Sequence, residues 1–320
     1  MTDDQAAPRP PQLSLYLTIF SAQDPGGWQH VFDRARAAEA AGFDRLVVPD
    51  HVVFGERLEE YARPEVGGAA GGQQPTGPDG YWLEPLTVLA VLAGLTTRVR
   101  LGTNILIAAL RRPVVLAKTL STLDVLSNGR VDLGVGVGWQ REEYEAAGLE
   151  FEGRGRLLDH TLEVCQTLWR EPRAAYDSPQ LRFEKIHMMP KPVQPGGVPI
   201  WVSGTVNKNV IRRVARFGSG WIPWGPARVD VKTGIAQMRE GLAELGRDPS
   251  TLDIVGVIPI IEDPDGTVDL ARTMEPVPDL VAAGVTDFRL NPNIPDGASA
   301  ASDFLTAMAE AFRAANPASR

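Results

Sequence analysis

The sequence predicts an α/β fold, a single (β/α)8 barrel with loop insertions. Three observations carry this. Apolar runs of strand length alternate with amphipathic helical stretches along all 320 residues, and eight such pairs can be counted. The strands are continuously apolar rather than alternating, which implies a parallel sheet covered on its outer face. No linker-like stretch splits the chain, and eight units at this length fit one closed barrel better than two open sheets.

The elements follow in order. Residues 13–18 form the first predicted strand, after an acidic, proline-rich tail over 1–12. Residues 28–41 form a helix, closed by Gly42. Residues 45–48 are a second strand. A Gly/Pro-rich insertion over 54–82 follows it and belongs to the C-terminal face of the barrel, as either a lid or a floppy surface loop. Residues 84–95 are a helix, 99–107 a strand, 114–126 a helix and 131–137 a strand. This β-α-β unit has special backbone chemistry at both strand ends, a Gly-Thr-Asn corner at 102–104 and alternating glycines from Gly134. A long helix covers 156–169. Strands at 199–202, 221–222, 254–260 and 286–290 complete the set, with helices near 209–217, 231–245, 278–283 and 302–315. Further insertions are expected at 171–197 and 262–276. The barrel domain spans 13–320.

Composition narrows the function. A 43% hydrophobic fraction with 22% charge is ordinary for a soluble globular protein. The net charge of −8 argues against nucleic acid or an anionic membrane as partner. The tail lacks the apolar run of a signal peptide. A single cysteine, Cys165, falls in a helical pattern and reads as a small buried hydrophobe; no intrachain disulfide is possible, which fits a cytoplasmic location. The four histidines show no metal-ligand spacing, so no metal is expected.

Candidate site residues cluster at predicted strand ends, where barrel enzymes place their chemistry. Asp50 and His51 follow the second strand, and a neutral imidazole there can pass a proton. Gly134, Gly136 and Gly138 share one strand face. That face reads either as tight packing or as room for a flat ring. Trp139 closes the run and could wall a pocket; Glu142 and Glu143 open the next segment. Ser203 follows the fifth strand. Gly204, Thr205, Val206 and Asn207 then lead into a helix, an arrangement that points free N–H groups at an anion. Lys208, Arg212 and Arg213 add charge nearby. No nucleophile elbow or Walker loop is present, so an organic cofactor is the expected source of the hard chemistry.

Four stretches carry a family resemblance: LVVPDHVVFGERL (46–58), GRVDLGVGVGWQREE (129–143), MMPKPVQPGGVPIWVSG (188–204) and RRVARFGSGWIP (212–223). Together with the segment from Thr96 onward they resemble the bacterial luciferase-like monooxygenase superfamily, and within it the branch that uses the deazaflavin coenzyme F420. The resemblance runs from Leu13 to about Phe312. It implies a TIM-like barrel with the coenzyme at the C-terminal strand ends and hydride transfer to a small-molecule substrate. It implies that His51 moves a proton, that Asp50 contacts the ring system, and that a non-prolyl cis peptide at Asn104–Ile105 backs one ring face. Ser203 to Asn207 would hold the phosphate end, and Gly136, Gly138, Trp139 and Glu142 would contribute to the cofactor site. Relatives that dehydrogenate sugar phosphates carry a glutamate where Trp139 stands, and their phosphate loops are richer in glycine and serine. The alternatives are an FMN-dependent monooxygenase on the same fold and a non-catalytic coenzyme-binding protein. The resemblance also implies a homodimer, and the helices at 84–95 and 114–126 are apolar enough to be buried on two sides.

Overall fold

The computed structural model describes residues 10–316. Eight parallel strands close into a barrel: β1 (Gln12–Tyr16), β2 (Arg45–Val48), β3 (Arg100–Thr103), β4 (Val131–Val135), β5 (Ile200–Gly204), β6 (Gly218–Pro223), β7 (Asp253–Val257) and β8 (Asp287–Leu290). Each strand pairs with its neighbours in sequence, and β8 returns to β1. The covering helices are α1 (Gln29–Ala41), α2 (Pro85–Leu95), α3 (Pro113–Leu126), α4 (Arg154–Arg170), α5 (Lys208–Phe217), α6 (Val231–Glu244), α7 (Val277–Ala283) and α8 (Ala298–Ala315). Left-handed Gly42 and Gly284 stop α1 and α7. Among the described residues, no helix is long and apolar enough to cross a membrane.

Several expectations need correction. The tail expected over 1–12 lies outside the described residues up to residue 9. At its other end Gln12 already belongs to β1, because its amide reaches the Thr286 carbonyl at 2.8 Å. The third strand does not run to 107. It leaves the ladder after Thr103, for a reason given by β4 below. The 171–197 insertion is not merely a loop, since Ala174–Asp177 and Arg182–Ile186 pair as an antiparallel hairpin. Within 262–276 a short helix, Leu270–Met274, forms. Cys165 is buried in α4, as its apolar setting suggested.

The barrel interior is divided. Its upper part is apolar, with Trp201, Ile222 and Val255 packed together and Ile105 against them. Its lower part is ionic. Arg45 donates to Asp132 at 2.8 Å, to Asp287 at 2.6 Å and to Gln12 at 3.0 Å. Arg100 adds two bonds to Asp132, both 2.7 Å. Arg289 donates to Asp287 at 2.9 Å, and the guanidinium of Arg45 lies 4.6 Å from the Trp201 ring. The Arg45 and Asp287 side chains are 3% and 0% exposed. Charges this dry persist only when each is paired.

The electrostatics of Asp132 set a pH dependence. Burial alone would raise its carboxyl, but Arg45 and Arg100 outweigh burial and hold it below the usual aspartate range. A depressed carboxyl stabilises the fold above its unfolded pKa and loses that contribution as pH falls through the folded one. Asp132→Asn should therefore flatten the acid limb of urea stability between pH 5 and pH 3. Asp287→Ala, which removes the carboxylate from Arg289 and one of the two from Arg45, should cost about 3–5 kcal/mol at neutral pH.

Candidate active site

The site begins with missing side chains. A Cβ on Gly134 would sit 2.0 Å from the Thr103 carbonyl oxygen. One on Gly136 would meet Ile105 at 2.9 Å, and one on Gly138 would meet Ile107 at 3.2 Å. The alternating glycines that start in β4 and run past its end, which comes at Val135 and not at 137 as expected, thus receive alternate residues from Thr103, the end of β3, onward. The ring-sized face read from the sequence is filled by protein, so packing accounts for it. The chain folds into this row through Leu106, whose amide reaches the Gly134 carbonyl at 2.7 Å, while the Gly136 amide reaches Leu106 at 3.2 Å. Between Thr103 and Leu106 lies the cis peptide Asn104–Ile105. Asn104 is tied from both sides: its amide donates to Val48 at 2.7 Å, and its Oδ1 accepts from Arg289 at 2.7 Å. Asn104 and Ile105 remain half-buried.

His51 stands two residues beyond Pro49, at the C-terminal end of β2. Its Nδ1 lies 3.1 Å from Oε2 of Glu143, and the other oxygen of Glu143 accepts from the Val52 amide at 2.8 Å. The Glu143 side chain is 0% exposed and that of His51 is 10% exposed. A buried carboxylate at Nδ1 fixes the ring and leaves Nε2 as its other nitrogen. Glu143, not Glu142, fills this role. Both begin the short helix Arg141–Ala146, where adjacent residues point about 100° apart. Glu142 turns to Arg57, 2.6 Å away, and braces the 54–82 insertion. Asp50 is also placed otherwise than expected. Its oxygens are taken by Arg111, at 2.8 Å for Nη2, and by the Ile107 amide at 2.8 Å. Burial pushes its carboxyl upward, against the pull of Arg111 and that amide. Asp50 therefore clamps the end of β2 to the return of the β3 segment. His30, His160 and His187 lie away from this cluster, and His160 bonds Tyr176.

Aromatic rings surround His51. Phe54 lies 4.4 Å away, Trp82 4.9 Å edge-on and Trp139 6.0 Å. Tyr61 meets Trp139 at 5.4 Å and Trp224 at 6.4 Å. Phe54, Tyr61 and Trp82 belong to the 54–82 insertion, which is docked over the strand ends. Trp224 donates to the carbonyls of Gly67 and Gly68, both 3.1 Å, and Arg154 to that of Val66 at 2.8 Å. Gly67 rests against the Gly138 carbonyl. Burial pushes the phenols of Tyr16 and Tyr61 above the usual tyrosine range, with Arg228 pulling the other way. Both are neutral donors at pH 7. The indole N–H of Trp139, in a residue 4% exposed, has no partner among the described residues.

The junction after β5 is partly closed by its own cap. Asn207 Oδ1 accepts from the amides of Asn209 and Val210, both 3.0 Å, satisfying two N–H groups of α5. The amides of Thr205, Val206 and Lys208 have no acceptor among the described residues. Ser203 is half-buried at the strand end. Trp221 secures the corner by donating to the Gly204 carbonyl at 3.0 Å. Arg213 does not add to this site, because it is spent on Asp159 and the Gly155 carbonyl. Arg212 bonds Asn209 in its own helix. Lys208 remains an exposed cation at the loop. A Cβ on Gly225, three residues before Arg228, would lie 3.9 Å from Thr205.

Comparison with known proteins gives the family and the fold. The family model described as luciferase-like monooxygenase matches residues 14–272. An uncharacterized protein of Mycobacterium tuberculosis H37Rv is 33% identical over 216 residues, 67% of this chain and 74% of that protein. An F420-dependent glucose-6-phosphate dehydrogenase of Segniliparus rotundus is 32% identical over 249 residues, 74% of this chain and 66% of that one. Among solved structures, an F420-dependent secondary alcohol dehydrogenase superposes with a TM-score of 0.74 at 19% identity, covering 95% of this chain and 99% of that one. The long-chain alkane monooxygenase LadA gives 0.73 at 15% identity, covering 96% and 92%. At these identities the two structures support the fold.

The pinning of His51 is open to direct measurement. A hydrogen bond to a charged acceptor is worth about 1.5–3 kcal/mol, so Glu143 should bias the neutral ring toward the Nδ1–H tautomer by roughly tenfold or more. Two-bond 15N–1H NMR should show that tautomer dominant in the wild type. In Glu143→Ala the bias should disappear.

Proposed function

The chain belongs to the luciferase-like monooxygenase family, and we propose that it is an oxidoreductase passing a hydride between coenzyme F420 and a small organic substrate, with His51 carrying the matching proton. One observation carries the reading: an imidazole anchored at Nδ1 by a buried carboxylate, beside the Asn104–Ile105 platform at the barrel mouth.

The residues fit such a coenzyme at both ends. The unmatched amides of Thr205, Val206 and Lys208, the Lys208 charge and the Thr205 hydroxyl form a donor set suited to a phosphate. Gly204 and Asn207 shape that loop, and Ser203 lies at its base. Half-buried Asn104 and Ile105 offer a surface for a ring, and Gly136 and Gly138 support it through Ile105 and Ile107. When bound, the deazaflavin supplies two-electron, hydride-level redox chemistry. The chain's own residues do the rest. Glu143 orients His51, so that Nε2 gives or takes the proton at the substrate. Trp139 and the 54–82 insertion keep water from that nitrogen. Asp50 holds the strand ends in register. F420 is preferred to FMN because a relative of 32% identity is named for it.

Calorimetric titration of the purified protein with each cofactor tests the choice. We expect F420 to bind; tight FMN binding with no F420 affinity would favour the monooxygenase reading. His51→Ala should lower kcat by about 10²–10⁴-fold while leaving coenzyme affinity in place. Unchanged turnover would remove the proton-transfer role, and a protein that binds F420 without turning over any substrate is a coenzyme-binding protein.

We also propose that two copies pair through α2 and α3. Val115 and Leu126 on α3 are 63% and 68% exposed, and Val91 and Val114 lie in the same two helices. A second copy would cover these apolar side chains. Light scattering should report a dimer, and Leu126→Asp should shift it toward monomer.

A further inference from the structure

The Asn104 side chain is the polar member of the Asn104–Ile105 pair, and its orientation is set from inside the barrel. Arg289 Nη1 donates to it at 2.7 Å. A guanidinium carries donors only, so the amide atom that faces it must be the oxygen. The nitrogen Nδ2 is then committed to the other arm of a planar group. Arg289 is itself tied down. Its Nε donates to Asp287 at 2.9 Å, and the two side chains are 5% and 0% exposed. The backbone is held as well, because the Asn104 amide donates to the Val48 carbonyl at 2.7 Å. A solvated asparagine turns freely about its last bond. This one is oriented before any ligand arrives, so little ordering cost remains to oppose binding.

Nδ2 carries two donors. Neither has an acceptor among the described residues. Nor is the atom sealed in, as the indole nitrogens of Trp139 and Trp201 are. On the inner side lie Trp201, Ile222 and Val255, packed with Ile105, and their side chains offer no acceptor. The open side of this half-buried residue, just beyond the end of β3, is the barrel mouth. A free donor pair therefore stands beside the apolar surface of Ile105. A flat heterocycle has the matching character, with apolar faces and acceptors along its edge.

We infer that Asn104 recognises the edge of the bound ring, its Nδ2 donating to a carbonyl oxygen or ring nitrogen while Ile105 supports the face. The inference rests on the coenzyme reading of the same site and gives that site a specificity-determining contact. Flavins and deazaflavins share such acceptors, so this contact does not choose between them.

The test is calorimetric and needs no turnover. The probe is the deazaflavin nucleoside, which carries the ring and ribityl chain without phosphate and so leaves the loop at 205–208 out of the measurement. Asn104→Asp keeps an oxygen for Arg289 and removes the donor. Asn104→Leu removes the donor without adding charge, and Asn104→Ser takes its place if the leucine variant does not fold. We expect the aspartate variant and the neutral variant each to bind the nucleoside about 3–10-fold more weakly than wild type, the range for one lost hydrogen bond. Thermal melting of Asn104→Asp should be no lower than that of wild type, because Arg289 stays paired. The visible absorption band of the bound ring should move in both variants, a change that a purely structural role does not require. Wild-type affinity in either variant overturns the inference and leaves the coenzyme reading standing. If wild type binds riboflavin and not the deazaflavin nucleoside, the F420 reading falls, and the same comparisons made with riboflavin decide the role of Asn104. A wild type that binds neither ring overturns both.

Discussion

The third strand cannot continue as a strand, because the fourth has no side chains to hold it off. Gly134, Gly136 and Gly138 let Thr103, Ile105 and Ile107 lie directly against the β4 backbone. That close approach bends the chain out of the ladder and sets the half-buried Asn104–Ile105 pair at the mouth. The end of the same glycine row delivers Trp139, and the next turn delivers Glu143 to His51. The Asn104–Ile105 pair, Trp139 and the Glu143–His51 contact thus share one cause. A methyl group on Gly134 would collide with the Thr103 carbonyl and disturb all three.

Two networks make this arrangement rigid. Asp50 joins the end of β2 to the amide of Ile107 and to Arg111, so the β3 segment is gripped where it rejoins the barrel. From below, Arg289 reaches Asn104 and links it to Asp287, Arg45 and Asp132. The ionic layer at the base of the barrel is therefore continuous with the platform. Sites held by strands and buried pairs keep their geometry better than sites held by loops. Here the loops, chiefly the 54–82 insertion, supply the aromatic cover, the part in which relatives can differ without disturbing the chemistry beneath.

The architecture was legible because period and composition repeat eight times. The address of the site was legible because His51 and the glycine row fall at strand ends. What escaped was the direction of side chains. Glu142 and Glu143 are indistinguishable by sequence, and only the turn of the helix sends one to His51 and the other to Arg57. Asp50 reads as a site carboxylate, yet Arg111, sixty-one residues away, occupies it. Arg213 reads as a phosphate cation, yet Asp159 on a different helix takes it. The alternating glycines were visible as exceptional, but their purpose depends on a neighbouring strand whose register the sequence does not display. The sole local clue to Glu143 was its place just after Gly-Trp-Gln, where a helix start could face the mouth.

The central claim is that the mouth is a ring-binding surface with a proton carrier on one side and a phosphate anchor at its edge. The most direct measurement is a crystal structure of the protein soaked with oxidised F420. The account predicts the deazaflavin ring on Asn104–Ile105 with His51 Nε2 turned toward it, and the phosphate on the amides of Thr205, Val206 and Lys208. A coenzyme seated elsewhere, or a phosphate bound away from that loop, would contradict it.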